Sequence, residues 1–157
     1  MEKLPITQKG FVVLEAEFKR LKTVERPAVI AQIAEARAHG DLSENAEYHA
    51  ARDKQSFIEG RIQDLEDKIA RAQVVDISVL EGPKVKFGAT VKLADCDNDE
   101  ERTYQIVGEY ESNLEEGRIS FVSPIARALI GKEEGDVVEV VRPSGKKSYE
   151  IIEVNYC

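Results

Sequence analysis

The stretch ARDKQSFIEGRIQDLEDKIARA, residues 51–72, decides how the chain is read. Ala51, Gln55, Ile58, Ile62, Leu65, Ile69 and Ala72 advance by four and three in turn, the seam of a coiled-coil helix, and only Gln55 among them is polar. An earlier stripe, Phe11, Leu14, Phe18 and Leu21, has the same rhythm. Pairing Phe11 with Ala72, Leu14 with Ile69, Phe18 with Leu65 and Leu21 with Ile62 keeps the sum of residue numbers at 83. A constant sum is what antiparallel pairing requires, and it places the reversal at Asp41 and Leu42. The phase slips near Pro27, where Ile30 and Ile33 are expected to take over as inward residues. A proline there predicts a bend or local break in the first arm.

The ends of the arms carry stop and start signals. Gly40 suits the end of the first helix, with Arg37 and His39 in its last turn where cations are favoured. Asp41 or Ser43 is expected to cap the second helix and Thr7 the first. At about 1.5 Å per residue, arms of roughly 30 residues extend about 45 Å. A compact second domain of about 75 residues does not cover such a length. The tip is therefore expected in solvent or inside another molecule.

Near residues 75–83 the pattern changes to short alternating stretches broken by glycines. Strands are expected over 89–94, 102–107, 118–122, 137–141 and 147–154, with Val91/Leu93, Tyr104/Ile106 and Ile119/Phe121 as inward pairs. Between the third and fourth, Ser123-Pro124-Ile125-Ala126-Arg127-Ala128-Leu129-Ile130-Gly131 has a serine cap, a proline at the first helical position and a terminal glycine. It predicts a short helix on the sheet. The expected fold is a two-domain α+β chain. A long antiparallel coiled-coil hairpin covers 1–75 with an acidic tip near 41–44, a linker covers 76–81, and a mostly antiparallel sheet domain with one short helix covers 82–157.

Composition narrows the function. With 157 residues the chain has no room for a large enclosed catalytic cleft. Its 22 Lys+Arg against 30 Asp+Glu give a net charge of −8, which weighs against gripping duplex DNA unaided. Any contact with nucleic acid is then indirect, through a partner. Apolar runs reach only about five residues against the roughly 20 that span a bilayer, and the first residues lack the layout of a secretory leader. The expectation is a cytoplasmic protein without a membrane anchor. Cys96 and Cys157 are too few for a disulfide scaffold or a zinc site.

The tip is the unusual position. Asp41 and Glu44 stand three apart where a helix starts, so their carboxylates can converge on one point. Acids at a helix N-terminus are also ordinary capping residues. A cap, however, needs no arm of about 45 Å beneath it. Two exposed carboxylates hold Mg²⁺ only weakly, because the ion requires near-octahedral oxygen ligation. The pair is half a site, to be completed by a partner that already holds catalytic magnesium. His39 and His49 lack a third ligand at zinc spacing. Asp95-Cys96-Asp97-Asn98-Asp99 imitates a calcium loop, but Glu100 and Ile106 occupy the places where glycine and a bidentate glutamate are required.

Gly40-Asp41-Leu42-Ser43-Glu44-Asn45-Ala46-Glu47-Tyr48-His49-Ala50-Ala51-Arg52, followed by Ser123-Pro124-Ile125-Ala126-Arg127-Ala128-Leu129-Ile130-Gly131-Lys132-Glu133-Glu134-Gly135-Asp136, resembles the bacterial Gre transcript-cleavage factors over essentially the whole chain. The resemblance implies a coiled coil that enters the secondary channel of RNA polymerase and an FKBP-like C-terminal domain that docks at the channel entrance. It implies that Asp41 and Glu44 help the polymerase retain a Mg²⁺ and position the attacking water, so that the polymerase cuts backtracked nascent RNA at its own active site. The chain is then a cofactor with little nuclease activity alone, and binds no cofactor by itself. Arg37 and Arg52 are implied contacts of the extruded RNA 3′ end, with surface ion pairing to Glu35 or Asp53 as the plain alternative. Ser123, Pro124, Ile125, Ala126, Gly131, Gly135 and Asp136 are the implied docking residues. Residues 1–78 hold 12 Lys+Arg against 14 Asp+Glu, which favours the less basic branch of the family. The hairpin buries its own seam, consistent with a monomer. Two rival readings stand beside this one. A channel-binding competitor that does not stimulate cleavage would have no need of paired carboxylates. A prolyl isomerase would need an apolar pocket, which a chain without Trp supplies poorly.

Overall fold

A computed structural model of the chain describes residues 2–40 and 45–156. It divides into two compact units, one over Phe11–Ala72 with Met1–Glu2, the other combining Lys3–Gly10 with Gln73–Cys157.

In the first unit, α1 (Gln8–Arg20) passes through a π-helical turn at Leu21–Glu25 into α2 (Arg26–Ala38), and α3 (Ala46–Arg71) runs back along them. Leu14, Leu21, Val29, Ile33 and Ala36 are the buried residues of the first arm, and Ala51, Ile58, Ile62 and Leu65 those of the second. The seam agrees with the heptad reading up to Leu21 and along α3.

One inward residue beyond Leu21 is corrected. Val29 is 0% exposed, whereas Ile30, expected inside, is 50% exposed; Ile33 is buried as expected. The cause is the π turn, in which the Arg26 N–H donates to the Leu21 carbonyl five residues back. One extra residue per turn rotates everything after it by about 100°, so the step from Leu21 to the next fully buried side chain is eight, not seven. Pro27, with no N–H to give, stands at the start of α2 where its missing donor is tolerated.

Two guanidinium forks clamp the flanks of this hairpin. Arg61 Nε and Nη2 donate to Glu17 Oε1 and Oε2 at 2.9 and 2.8 Å, and Arg26 Nε and Nη2 donate to Glu59 Oε2 and Oε1 at 2.8 and 2.7 Å. The donated hydrogen bonds hold both glutamates below their ordinary carboxylate range.

The second unit contains a two-stranded sheet, β1 (Leu4–Thr7) with β2 (Ala72–Val75), and a five-stranded sheet in the order β5-β4-β3-β7-β6. Its strands are β3 (Thr90–Asp95), β4 (Glu101–Val107), β5 (Arg118–Ser120), β6 (Val137–Arg142) and β7 (Gly145–Asn155). All pairings in the five-stranded sheet are antiparallel except β4 with β5, which is parallel. The alternation that predicted these strands is visible in β3, where Val91 and Leu93 are fully buried. The register of β3 on β7 shifts between Lys92 and Leu93, so Ile152 is the unpaired residue of a bulge. The short helix α4 (Pro124–Leu129) adds Ala126 and Leu129 to the core with Ile106, Ile151 and Val85; Tyr104 and Phe121 pack against it half-buried. Among the described residues no helix is long and apolar enough to cross a membrane.

Candidate functional site

Where α2 leads toward α3, the last turn of α2 brings Arg37 and His39 to its C-terminus. The His39 N–H closes on the Ala36 carbonyl at 3.1 Å, and Gly40 follows with φ +121°, a conformation that favours glycine. The second arm starts one residue before Ala46. Asn45 has extended backbone angles, and its Oδ1 accepts the Tyr48 N–H at 3.0 Å. The N-cap of α3 is therefore Asn45, in place of the expected Asp41 or Ser43. Asparagine ranks with serine and aspartate as a cap, and Glu47 in the first turn complements the helix dipole, so the signal was present in the sequence. The Asn45 Nδ2 donates to the Ala36 carbonyl at 2.7 Å, across to the other arm. Residues 41–44, and with them Asp41 and Glu44, lie outside the described residues.

Around this end the side chains are polar and aromatic. The Arg52 Nη1 donates to the Tyr48 hydroxyl at 3.1 Å, and its guanidinium carbon lies 5.9 Å from the Tyr48 ring centre, within reach of a cation–π contact. The Tyr48 and His49 rings meet edge to face with centroids 5.4 Å apart. His39 Nδ1 stands 3.8 Å from Glu47 Oε2 across the two arms. Arg37 is exposed, as is Arg52. Among the described residues neither is paired with Glu35 or Asp53, and no group of three or more His, Cys, Asp or Glu could hold a metal ion.

The segment 123–136 is built by local hydrogen bonds. Ser123 Oγ accepts the Ala126 N–H at 3.3 Å and caps α4, with Pro124 at its first position. Gly131 (φ +89°) donates to the Val85 carbonyl at 2.9 Å, and Val85 donates to that of Lys132 at 2.7 Å. Gly135 (φ +90°) donates to the Ile151 carbonyl at 2.8 Å, and Asp136 Oδ2 accepts the Glu133 N–H at 2.9 Å. Ser123, Gly131, Gly135 and Asp136 thus shape the backbone of this segment. Ala126 is 0% exposed and has no surface to offer a partner. Pro124 and Ile130 present exposed surface, and Ile125 is half-buried against the core.

Comparison with known proteins defines the class to which this arm and this sheet unit belong. A model described as transcription elongation factor, N-terminal, matches residues 4–74, and one described as transcription elongation factor, GreA/GreB, C-terminal, matches residues 80–156. The chain belongs to the GreA/GreB family of transcription elongation factors. It is 65% identical over 156 residues to the transcription elongation factor GreA of Phenylobacterium zucineum and 63% identical to that of Hyphomonas neptunium, in both cases across 99% of each chain. Among solved structures it is similar to GreA factor homolog 1 (Gfh1) of Thermus thermophilus, at 26% identity over 98% of this chain and 99% of that one, with a TM-score of 0.45.

Proposed function

We propose that the chain is a transcript-cleavage factor that acts with RNA polymerase in the cytoplasm. Its coiled coil enters the secondary channel, and the C-terminal unit docks at the entrance through the segment 123–136. Asp41 and Glu44 supply carboxylate oxygens at the end of the hairpin, where they hold a polymerase-bound Mg²⁺ and orient the attacking water on backtracked RNA. Carboxylate oxygens are the donors that ion prefers, and two of them complete a site rather than make one. A bound Mg²⁺ would polarise the phosphodiester and lower the pKa of the water. Arg37 and Arg52 offer cations to the phosphates of the extruded 3′ end. In this reading the chain is a monomer that completes another enzyme's active site.

The observation that supports the reading is Asn45. It fills the capping role at the start of α3 that would otherwise account for two acids three residues apart. The test is a cleavage assay on a deliberately backtracked polymerase complex with and without the chain. Shortened transcripts with a new 3′ end are expected only when chain, polymerase and Mg²⁺ are all present. Release of product from free RNA by the chain alone would refute the cofactor role. Tight polymerase binding by residues 1–75 alone would refute docking through the C-terminal unit.

A further inference from the structure

β6 is an outer strand of the five-stranded sheet, with β7 on one side and, among the described residues, no strand on the other. The opposite edge, β5, is closed over by its own loop, where Asn113 and Arg118 exchange both backbone hydrogen bonds at 2.9 Å. Among the described residues β6 has no such cover. The Ile151 N–H donates to the Asp136 carbonyl at 2.9 Å. Hydrogen-bonded pairs alternate along an antiparallel ladder, so the next are Val138 with Tyr149 and Val140 with Lys147. The backbone N–H and C=O of Val137, Glu139 and Val141 therefore face away from β7, toward the open edge. The side chains of the same three residues stand on the exposed face: Val137 is 62% and Val141 65% exposed, whereas Val138 and Val140 are buried.

An open edge of this composition invites another strand. Val137-Val138-Glu139-Val140-Val141 holds four valines and neither proline nor glycine. It also reads the same in both directions, which lets it pair antiparallel with an identical strand about a two-fold axis. In that register Val137 meets Val141 of the second copy, Val138 meets Val140, and Glu139 meets Glu139. Valine on valine stabilises a sheet, whereas two carboxylates set directly opposite each other destabilise it. Lys146 Nζ, 3.4 Å from Glu139 Oε1, pairs with it in solvent and offsets the charge only in part.

We propose that β6 is a self-complementary edge for a second copy of the chain, and that Glu139 is the charge that keeps the copies apart. One carboxylate suffices because it falls on the two-fold axis, where it opposes itself in every such encounter. A charge within an apolar edge strand is a general guard against edge-to-edge pairing. This role of Glu139 does not depend on what the chain does at RNA polymerase.

Sedimentation equilibrium of the full chain at neutral pH and low salt reads the effect directly. The natural chain is expected to be monomeric. Glu139→Thr removes the charge and is expected to tighten dimerisation by about 10-fold or more. Glu139→Lys keeps a like charge in place and is expected to stay monomeric by itself, yet to form a mixed dimer with the natural chain, where opposite charges meet. Raised salt is expected to weaken that mixed dimer. Val141→Pro in the Glu139→Thr chain removes an N–H from the open edge and none from the ladder with β7, and is expected to restore the monomer. Circular dichroism checks that the sheet is retained; should this chain not fold, the mixed dimer decides alone. Monomers throughout, mixture included, overturn the proposal. A Glu139→Thr dimer that survives Val141→Pro in a folded chain overturns it as well, because the contact then lies elsewhere. So does a natural chain already paired through this edge, because Glu139 then guards nothing. Val141→Pro in the natural chain is expected to leave unchanged the concentration needed for half-maximal cleavage of a backtracked complex; an increase would give the edge to the polymerase and overturn its assignment to a second copy.

Discussion

Glu111 holds Thr7 through both of its carboxylate oxygens: Oε2 accepts the Thr7 N–H at 3.0 Å, and Oε1 accepts the proton of the Thr7 hydroxyl. Oε2 also accepts the Gly108 N–H at 2.8 Å. The same Thr7 hydroxyl accepts the Gly10 N–H at 3.1 Å and caps α1, as its place in the sequence predicts. One side chain, 104 positions away, thus orders the first turn of that helix.

This arrangement reverses the expected sign of a substitution at Gly10. Replacing a helical glycine by alanine ordinarily gains about 1 kcal/mol. Here the added Cβ would stand 2.1 Å from Glu111 Oε1, a side chain pinned by three donors. Gly10→Ala is therefore expected to destabilise by about 1–2 kcal/mol in urea unfolding, because the carboxylate must release bonds to make room. In a Glu111→Ala background the same change is expected to stabilise, and a double-mutant cycle reads the coupling directly.

The re-phasing of the first arm makes a second prediction. Val29→Ala removes two buried methyl groups and is expected to cost about 2 kcal/mol of stability. Ile30→Ala, one residue away, is expected to stay within about 0.5 kcal/mol of the unaltered chain. Equilibrium unfolding of both variants checks the assignment, and the opposite ranking would place Ile30 in the seam in place of Val29.

That pair of residues also marks where the sequence stops being legible. The seven-residue rhythm of the arms shows in the sequence because every inward position is apolar or nearly so. The π turn shows only as the slip of phase near Pro27; which side chains follow it inward depends on the backbone bond from Arg26 to Leu21, which no side-chain pattern encodes. Strands β3 to β7 were readable from their alternation. Strands β1 and β2 were not: Leu4-Pro5-Ile6-Thr7 is short, contains a proline, and finds its partner far along the chain. At the site, Asn45 was overlooked because the acids before it drew the capping assignment. Of the two roles expected of Arg52, contact with RNA or an ion pair with a neighbour such as Asp53, the second gives way to Tyr48, one turn back, whose hydroxyl accepts from its guanidinium.

The turn after β3 offers a pH prediction. Asp95 is only 4% exposed and receives the Lys147 ammonium at 2.6 Å and the Asp97 N–H at 2.9 Å. The hydrogen bond from Lys147 leads the groups that hold its carboxyl below the ordinary aspartate value, and the carboxylate in turn raises Lys147. A depressed acid stabilises the fold above its unfolded pKa of about 3.9, and that contribution fades as pH falls through the lower folded value. The raised lysine gives its share below about pH 10.4 and loses it as pH climbs beyond. Asp95→Asn is expected to lower stability at neutral pH and to flatten the loss of stability below about pH 4. Urea midpoints compared at neutral and acid pH test this; parallel curves for the two proteins would show that the pair carries no proton linkage.

The last prediction separates the two meanings that a pair of acids before a helix can have. Were Asp41 and Glu44 there to start α3, neutralising them would cost about 1 kcal/mol, the usual value of a cap. Asn45 already makes the capping bond to Tyr48, so Asp41→Asn and Glu44→Gln are expected to leave hairpin melting within about 0.5 kcal/mol. Stimulated cleavage of a backtracked transcript is expected to fall by about 100-fold or more, the scale seen when a group that stabilises transition-state charge is lost. Polymerase binding, measured by competition, is expected to persist because shape is retained. Melting and cleavage are to be read on the same preparations: lowered melting with cleavage intact would return these acids to a purely structural role, whereas intact melting with cleavage lost assigns them to chemistry.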